Sequence, residues 1–179
     1  MSYNVGQYRK QDFVQLILGS WVFSLPGLRN ARHSWYMKNF HVGSNCSIAS
    51  GVSITKAHYL KNEDASVRIG SNVRIGAKSF IDYTGGIVIE DDVWIGPRTV
   101  IYTHGHNIPG RELKSSYPTV YSFLRIEKDA WIGSNSIILG KVEEIGKGAI
   151  IAAGSVVTKN VKDYEIVAGN PANKIGERI

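Results

Sequence analysis

Two histidines stand two residues apart in Thr103-His104-Gly105-His106, within a segment that also carries Pro109, Gly110, Arg111, Lys114 and Tyr117. A neutral imidazole can take a proton from a hydroxyl near neutral pH, a role typically worth about 10²–10⁴-fold in rate. If the segment is extended, residues two apart share a face, so both rings would reach the same space. In isolation, two loop histidines would read as ordinary surface hydrogen-bonding groups. His33, His41 and His58 have no comparable surroundings and read as structural or solvent-exposed.

What could hold that segment in place is a six-residue beat of aliphatic side chains. It runs through Val42, Ile48 and Ile54, then Ile69, Ile75, Ile81 and Ile87, then Ile89, Ile95 and Ile101. It resumes as Ile126, Ile132 and Ile138, then Ile145, Ile151 and Val157. A fixed short period of this kind marks a β-helix built from hexapeptides. A helical period of about 3.6 would smear these residues around the axis, which excludes helix over residues 42 to 158. Small or branched residues lie four places further on, among them Val73, Ser79, Val93, Thr99, Ala130, Ser136, Val142, Ala149 and Ser155. Even spacings keep both layers on one face of a strand, pointing inward. Glycine often follows the aliphatic residue, where the corner needs an unusual backbone conformation or a close approach of the next coil. Three hexapeptide faces per turn give a triangular prism of stacked parallel strands.

The breaks in the beat are informative too. Residues 55 to 66 lack an interior pattern and form a loop. The step of two from Ile87 to Ile89, just after Gly85-Gly86, reads as a corner adjustment. The step of seven from Ile138 to Ile145 reads as a one-residue bulge near Glu143-Glu144. The largest break, between Ile101 and Ile126, carries the two histidines. Long loops on a rigid scaffold are where function concentrates.

At 179 residues the chain is one repeat body with caps. The expected division is a helical N-terminal cap over 1–40, the β-helix over 41–160 with a protruding loop at 103–125, and a C-terminal cap segment over 161–179. A net charge of +6 favours anionic ligands, but no basic run with interleaved aromatics points to nucleic acid. Cys46, the single cysteine, falls at a small interior position and reads as a buried structural thiol. Neither a disulfide framework nor a signal peptide is evident, so the expected location is cytoplasmic. Between Phe13 and Leu25 the chain is apolar, is stopped by Pro26-Gly27, and is followed by Arg29, Arg32, His33 and Lys38. It is short of the roughly 20 residues that span a bilayer. It reads as a helix capping the open prism, with interfacial contact to anionic lipid at the inner face of a membrane as the other reading.

Several motifs stand in order along the chain: Ile95-Gly96-Pro97 leading to the histidine loop, Trp131-Ile132-Gly133-Ser134, Ala152-Ala153-Gly154-Ser155 through Thr158-Lys159, and Gly169-Asn170-Pro171-Ala172. In this ordered set, residues 40 to 175 resemble the hexapeptide-repeat acyltransferases, and among them the maltose, galactoside and polysaccharide O-acetyltransferases. The resemblance implies an all-β, left-handed parallel β-helix that assembles as a homotrimer with active sites between subunits. It implies acetyl-CoA as acyl donor, no metal, and a carbohydrate acceptor, with a role in surface polysaccharide (capsule or lipopolysaccharide) biosynthesis. Counted from the Ile95-Gly96-Pro97 turn, the family's catalytic base falls on His106, with His104 beside it on the acceptor side. Gly96, Ser134 and Ala153 would line the pantetheine path, with Trp131 as a wall and Thr158 and Lys159 further along. Lys174 stands near the place where galactoside enzymes carry an arginine. Asp82 is the nearest equivalent of an acceptor-binding asparagine.

Two other enzyme readings share the prism. The residues named do not distinguish an alcohol from an amine acceptor, which leaves an N-acetyltransferase of an amino-sugar nucleotide open. A γ-type carbonic anhydrase would need three histidines on zinc. Here that would require His58 to reach His104 and His106. A purely structural β-helix would need neither the histidine loop nor the segment from Ala153 to Lys159.

Overall fold

A computed structural model describes residues 5–25, 27–57, 62, 65–111, 113 and 117–179. The aliphatic beat becomes three sheets of short parallel strands, the faces of a triangular prism. The first face stacks His41–Val42, Val67–Ile69, Ile87–Ile89, Leu124–Ile126 and Glu144–Ile145. The second stacks Ser47–Ile48, Arg74–Ile75, Trp94–Ile95, Trp131–Ile132 and Ile150–Ile151, and ends in the antiparallel pair Glu165–Gly169 and Ala172–Glu177. The third stacks Ser53–Thr55, Phe80–Asp82, Val100–Ile101, Ile137–Ile138 and Val156–Val157.

Register follows the beat residue for residue. Ile48 pairs with Ile75, Ile75 with Ile95, Ile95 with Ile132 and Ile132 with Ile151. These isoleucines fill the prism and are almost fully buried, as is the second layer from Val73 through Ser155. Burying a branched side chain contributes about 1.5–3 kcal/mol. Repetition along the axis is what holds the coils together.

Glycine after the aliphatic residue serves close approach and not an unusual backbone. A Cβ built on Gly96 would lie 2.5 Å from the Ser134 amide nitrogen of the next coil. The left-handed conformation falls instead three places after the aliphatic residue, at Asn72, Lys78, Asp92, Arg98 and Asn135 among others. The step of two at Ile87 is a wider corner between two three-residue strands, with Gly86 at φ 93°. The step of seven is not a strand bulge: Arg125 pairs with Glu144 and Ile126 with Ile145 without a shift, so the extra residue sits in the preceding turn.

The N-terminal segment folds as helix α1 (Val5–Leu18), a 3₁₀ turn (Trp21–Ser24) and helix α2 (Leu28–Asn39) against the first coil. Gln15 docks α1 by exchanging both amide bonds with the backbone of Ile54, at 2.7 and 3.0 Å. Tyr36 docks α2 through its hydroxyl, which donates to the Val52 carbonyl at 2.7 Å. Burial pushes the Tyr36 phenol up to about 12, with Arg32 pulling the other way. Cys46 packs against the core half-buried, and burial raises its thiol, as suits a structural cysteine.

Candidate active site

The long break between coils opens with a β-hairpin. His104–His106 pairs antiparallel with Thr119–Tyr121, His104 opposite Tyr121 and His106 opposite Thr119. Strand alternation puts both imidazoles on one side. Their ring centroids are 6.4 Å apart, edge to face.

Asp82 organises the base of this hairpin. It ends the third-face strand Phe80–Asp82, and its carboxylate is almost completely buried. One oxygen accepts from the Thr84 amide at 3.1 Å and from the Thr84 hydroxyl. The other accepts from the Thr103 amide at 2.9 Å, the Thr103 hydroxyl at 3.3 Å and His104 Nδ1 at 2.7 Å. A carboxylate with this many donors is compensated for its burial. With Nδ1–H given to Asp82, the neutral form of His104 is held in the tautomer that keeps the lone pair on Nε2. The His104 side chain is 16% exposed, whereas His106 is exposed. Asp82, expected on the acceptor side, is 3% exposed in its side chain, holds His104 and lines the pocket beside that ring.

Gly140 lets the hairpin leave the prism. A Cβ there would stand 2.0 Å from the His104 carbonyl oxygen. This glycine went unmarked in the beat because the clash is with a segment distant in sequence. Beside His104 lies a pocket of about 250 Å³ walled by Phe80, Tyr102, Lys56 and Thr55.

The residues expected to meet the donor separate into two groups. Gly96, Ser134 and Ala153 stack at the corner between the second and third faces, where the Gly154 amide donates to the Ser134 carbonyl at 2.8 Å. Trp131 stands half exposed on the second face, edge to face with Trp94 at 6.4 Å. Thr158 and Lys159 follow the third-face strand Val156–Val157 and so occupy the next corner, the one from which the histidine hairpin leaves. Lys159 is exposed. Lys174, also exposed, is engaged by Glu177, whose bond raises the lysine and lowers the carboxylate from their ordinary values. Across one face the two corners are separated by about 15 Å of extended chain. The histidine hairpin and the Gly96–Ser134–Ala153 group thus lie at different corners of the prism.

Among the described residues, the metal-capable trio found is Glu127, Glu144 and Asp163, which contains no histidine. The zinc reading depends on His58, which lies outside the described residues, as does Lys114.

Residues 66–102 and 124–159 match the hexapeptide repeat of succinyl-transferase. The chain carries that repeat, and its relatives are acetyltransferases. It is 37% identical over 117 residues to serine acetyltransferase 4 of Arabidopsis thaliana, covering 64% of this chain and 31% of that protein. It is 34% identical over 115 residues to the galactoside O-acetyltransferase of Escherichia coli, covering 60% and 55%. The chain thus spans between about a third and just over half of these relatives. A hexapeptide-repeat acetyltransferase of Vibrio cholerae, solved with acetyl coenzyme A, superposes with a TM-score of 0.70 over 99% of this chain and 92% of that one, at 23% identity. That likeness shows the fold, a left-handed parallel β-helix.

Proposed function

We propose that this chain is an acyltransferase that moves the acetyl group of acetyl-CoA to a sugar hydroxyl, in a surface polysaccharide of the capsule or lipopolysaccharide kind or in its precursor. The observation that carries this reading is the imidazole pair on one side of a hairpin rooted in the buried Asp82. The donor corner fits a long, anionic, amide-rich molecule: Ser134 and Ala153 are accessible and Trp131 offers a flat wall, while Lys159, at the hairpin's corner, offers a charge for phosphate. When bound, acetyl-CoA supplies an already activated thioester, so no covalent enzyme intermediate is required.

His106 acts as the general base at the position the family resemblance assigns. It takes the hydroxyl proton as the oxygen attacks, then returns a proton to the departing thiolate sulfur. His104, fixed by Asp82, stands beside it on the acceptor side. A second reading has a specific observation behind it: the 2.7 Å bond from His104 Nδ1 to Asp82 is the arrangement that orients a base in a carboxylate–histidine pair. Single substitutions separate the two, as argued in the Discussion.

The separation of hairpin and donor corner supports a homotrimer in which the histidines of one subunit face the corner of its neighbour. Light scattering should then give about three times the 19.7 kDa chain mass, and a monomer with full activity would overturn it. Thiol release from acetyl-CoA across neutral sugars and glycan fragments tests the acceptor class. Turnover confined to an amino-sugar nucleotide would instead establish the N-acetyltransferase.

We place the reaction in the cytoplasm at the inner membrane face. No helix among the described residues is long and apolar enough to cross a membrane. On α1, Phe13, Leu16 and Ile17 are exposed together at helical spacing, with Lys10 and Lys38 exposed on the two helices. Flotation with phosphatidylserine vesicles should be lost in Leu16→Glu; equal flotation of that variant would remove the membrane contact.

A further inference from the structure

A cavity of about 690 Å³ lies on the second face toward α2, away from the histidine hairpin. Arg74, Trp94, His33 and Asn30 line it. Arg74 points outward from the strand Arg74–Ile75, directly beside Trp94 in the ladder. Its guanidinium carbon stands 4.5 Å from the Trp94 ring centroid, a stacked cation–π arrangement. Among the described residues, Arg74 takes part in no ion pair and none of the side-chain hydrogen bonds, so its fork of donors is held in place without a partner. The one carboxylate on the cavity wall, Asp92, already receives the Asn72 amide at 2.9 Å and Lys128 at 3.4 Å. The cavity therefore presents one cation without an ion-pair partner, the single carboxylate on its wall being engaged by Lys128 and Asn72.

Its position gives the cavity a use. A second groove, lined by Gly76, Gly96 and Trp131, shares Ser47, Arg74 and Trp94 with it. The expected donor track at Gly96 and Trp131 thus adjoins the Arg74 cavity. We propose that this cavity holds the part of the acceptor remote from the hydroxyl that meets a neighbouring subunit's histidines, and that Arg74 selects an acceptor bearing an oxyanion, a carboxylate or phosphate on a sugar. The proposal rests on the acetyl-transfer reading and names its substrate class. A planar guanidinium pairs two-pronged with either anion, while Trp94 beneath it keeps the fork from collapsing into solvent and offers an edge to a sugar ring. His33 at the rim adds a hydrogen-bond donor.

Two measurements test this, one independent of turnover. Trp94 fluorescence is titrated with glucuronic acid, glucose 1-phosphate and glucose, without acetyl-CoA. Saturation by an anionic sugar, absent with glucose and lost in Arg74→Ala, is expected; the uronic acid and the phosphate arms tell which oxyanion is preferred. Equal titration by all three, or by none, overturns the subsite even if acetyl transfer is real. In turnover, the kcat/KM ratio of acidic to neutral acceptor should be about 10-fold or more in the native chain and fall toward one in Arg74→Ala. Arg74→Lys should restore only part of it, since a point charge lacks the fork. A ratio unchanged in Arg74→Ala sinks the proposal, whereas loss of all turnover with anion binding intact would point to failure of the acetyl-transfer reading alone.

Discussion

His106→Ala is expected to lower kcat for acetyl transfer by about 10²- to 10⁴-fold, the usual contribution of a positioned general base, while leaving the thermal unfolding midpoint unchanged. The ring is at the surface of the hairpin and is not part of the core, so removing it creates no cavity. His104→Ala gives the contrast. If His106 is the base, loss of His104 should act mainly on the acceptor KM, because the neighbouring ring helps define the pocket walled by Phe80 and Tyr102. If His104 is the base, the two variants exchange these signatures. Release of free thiol from acetyl-CoA, followed with each variant at saturating acceptor, decides between them. Full activity in both variants would remove catalysis from the hairpin and revive a structural role for the prism.

The second large effect is expected at Asp82. In Asp82→Ala the amides of Thr84 and Thr103 and the ring of His104 lose their shared acceptor in a buried place. Leaving such groups unpaired costs about 1–3 kcal/mol each. Urea unfolding should show that loss. Asp82→Asn keeps the volume but turns an amide N–H₂ toward groups that are themselves donors, so it should recover only part of the stability. The kinetic readout is separate: a shift in kcat with the acceptor KM retained would mean that Asp82 orients a working base, whereas loss of stability alone would confine it to holding the hairpin.

The interior of the prism was legible because the information is local. A six-residue repeat of Ile and Val, with small residues four places on, specifies which side chains turn inward whatever surrounds them, and the burial of Ile75, Ile132, Val93 and Ser136 follows that pattern. The histidine loop was legible for the same reason, as a long interruption in a regular beat. The family resemblance marked Gly96, Ser134 and Ala153, and these share one corner. The reason for glycine after the aliphatic residue was only half legible. The sequence allowed close approach or unusual backbone, and contact between coils at Gly96 and Gly133 selects the first.

By itself, the sequence determined the core, its period, the triangular stacking that follows and the pair of imidazoles in its longest interruption. The tertiary structure alone decided that Asp82, 22 residues before His104, anchors that ring, that Gly140 clears its path, and that Arg74 rests on Trp94 beside α2. The physical reason is that inward and outward directions depend on neighbours along a strand. Contacts between coils depend instead on how many residues each corner and loop consumes before the chain returns, and no short period encodes that length.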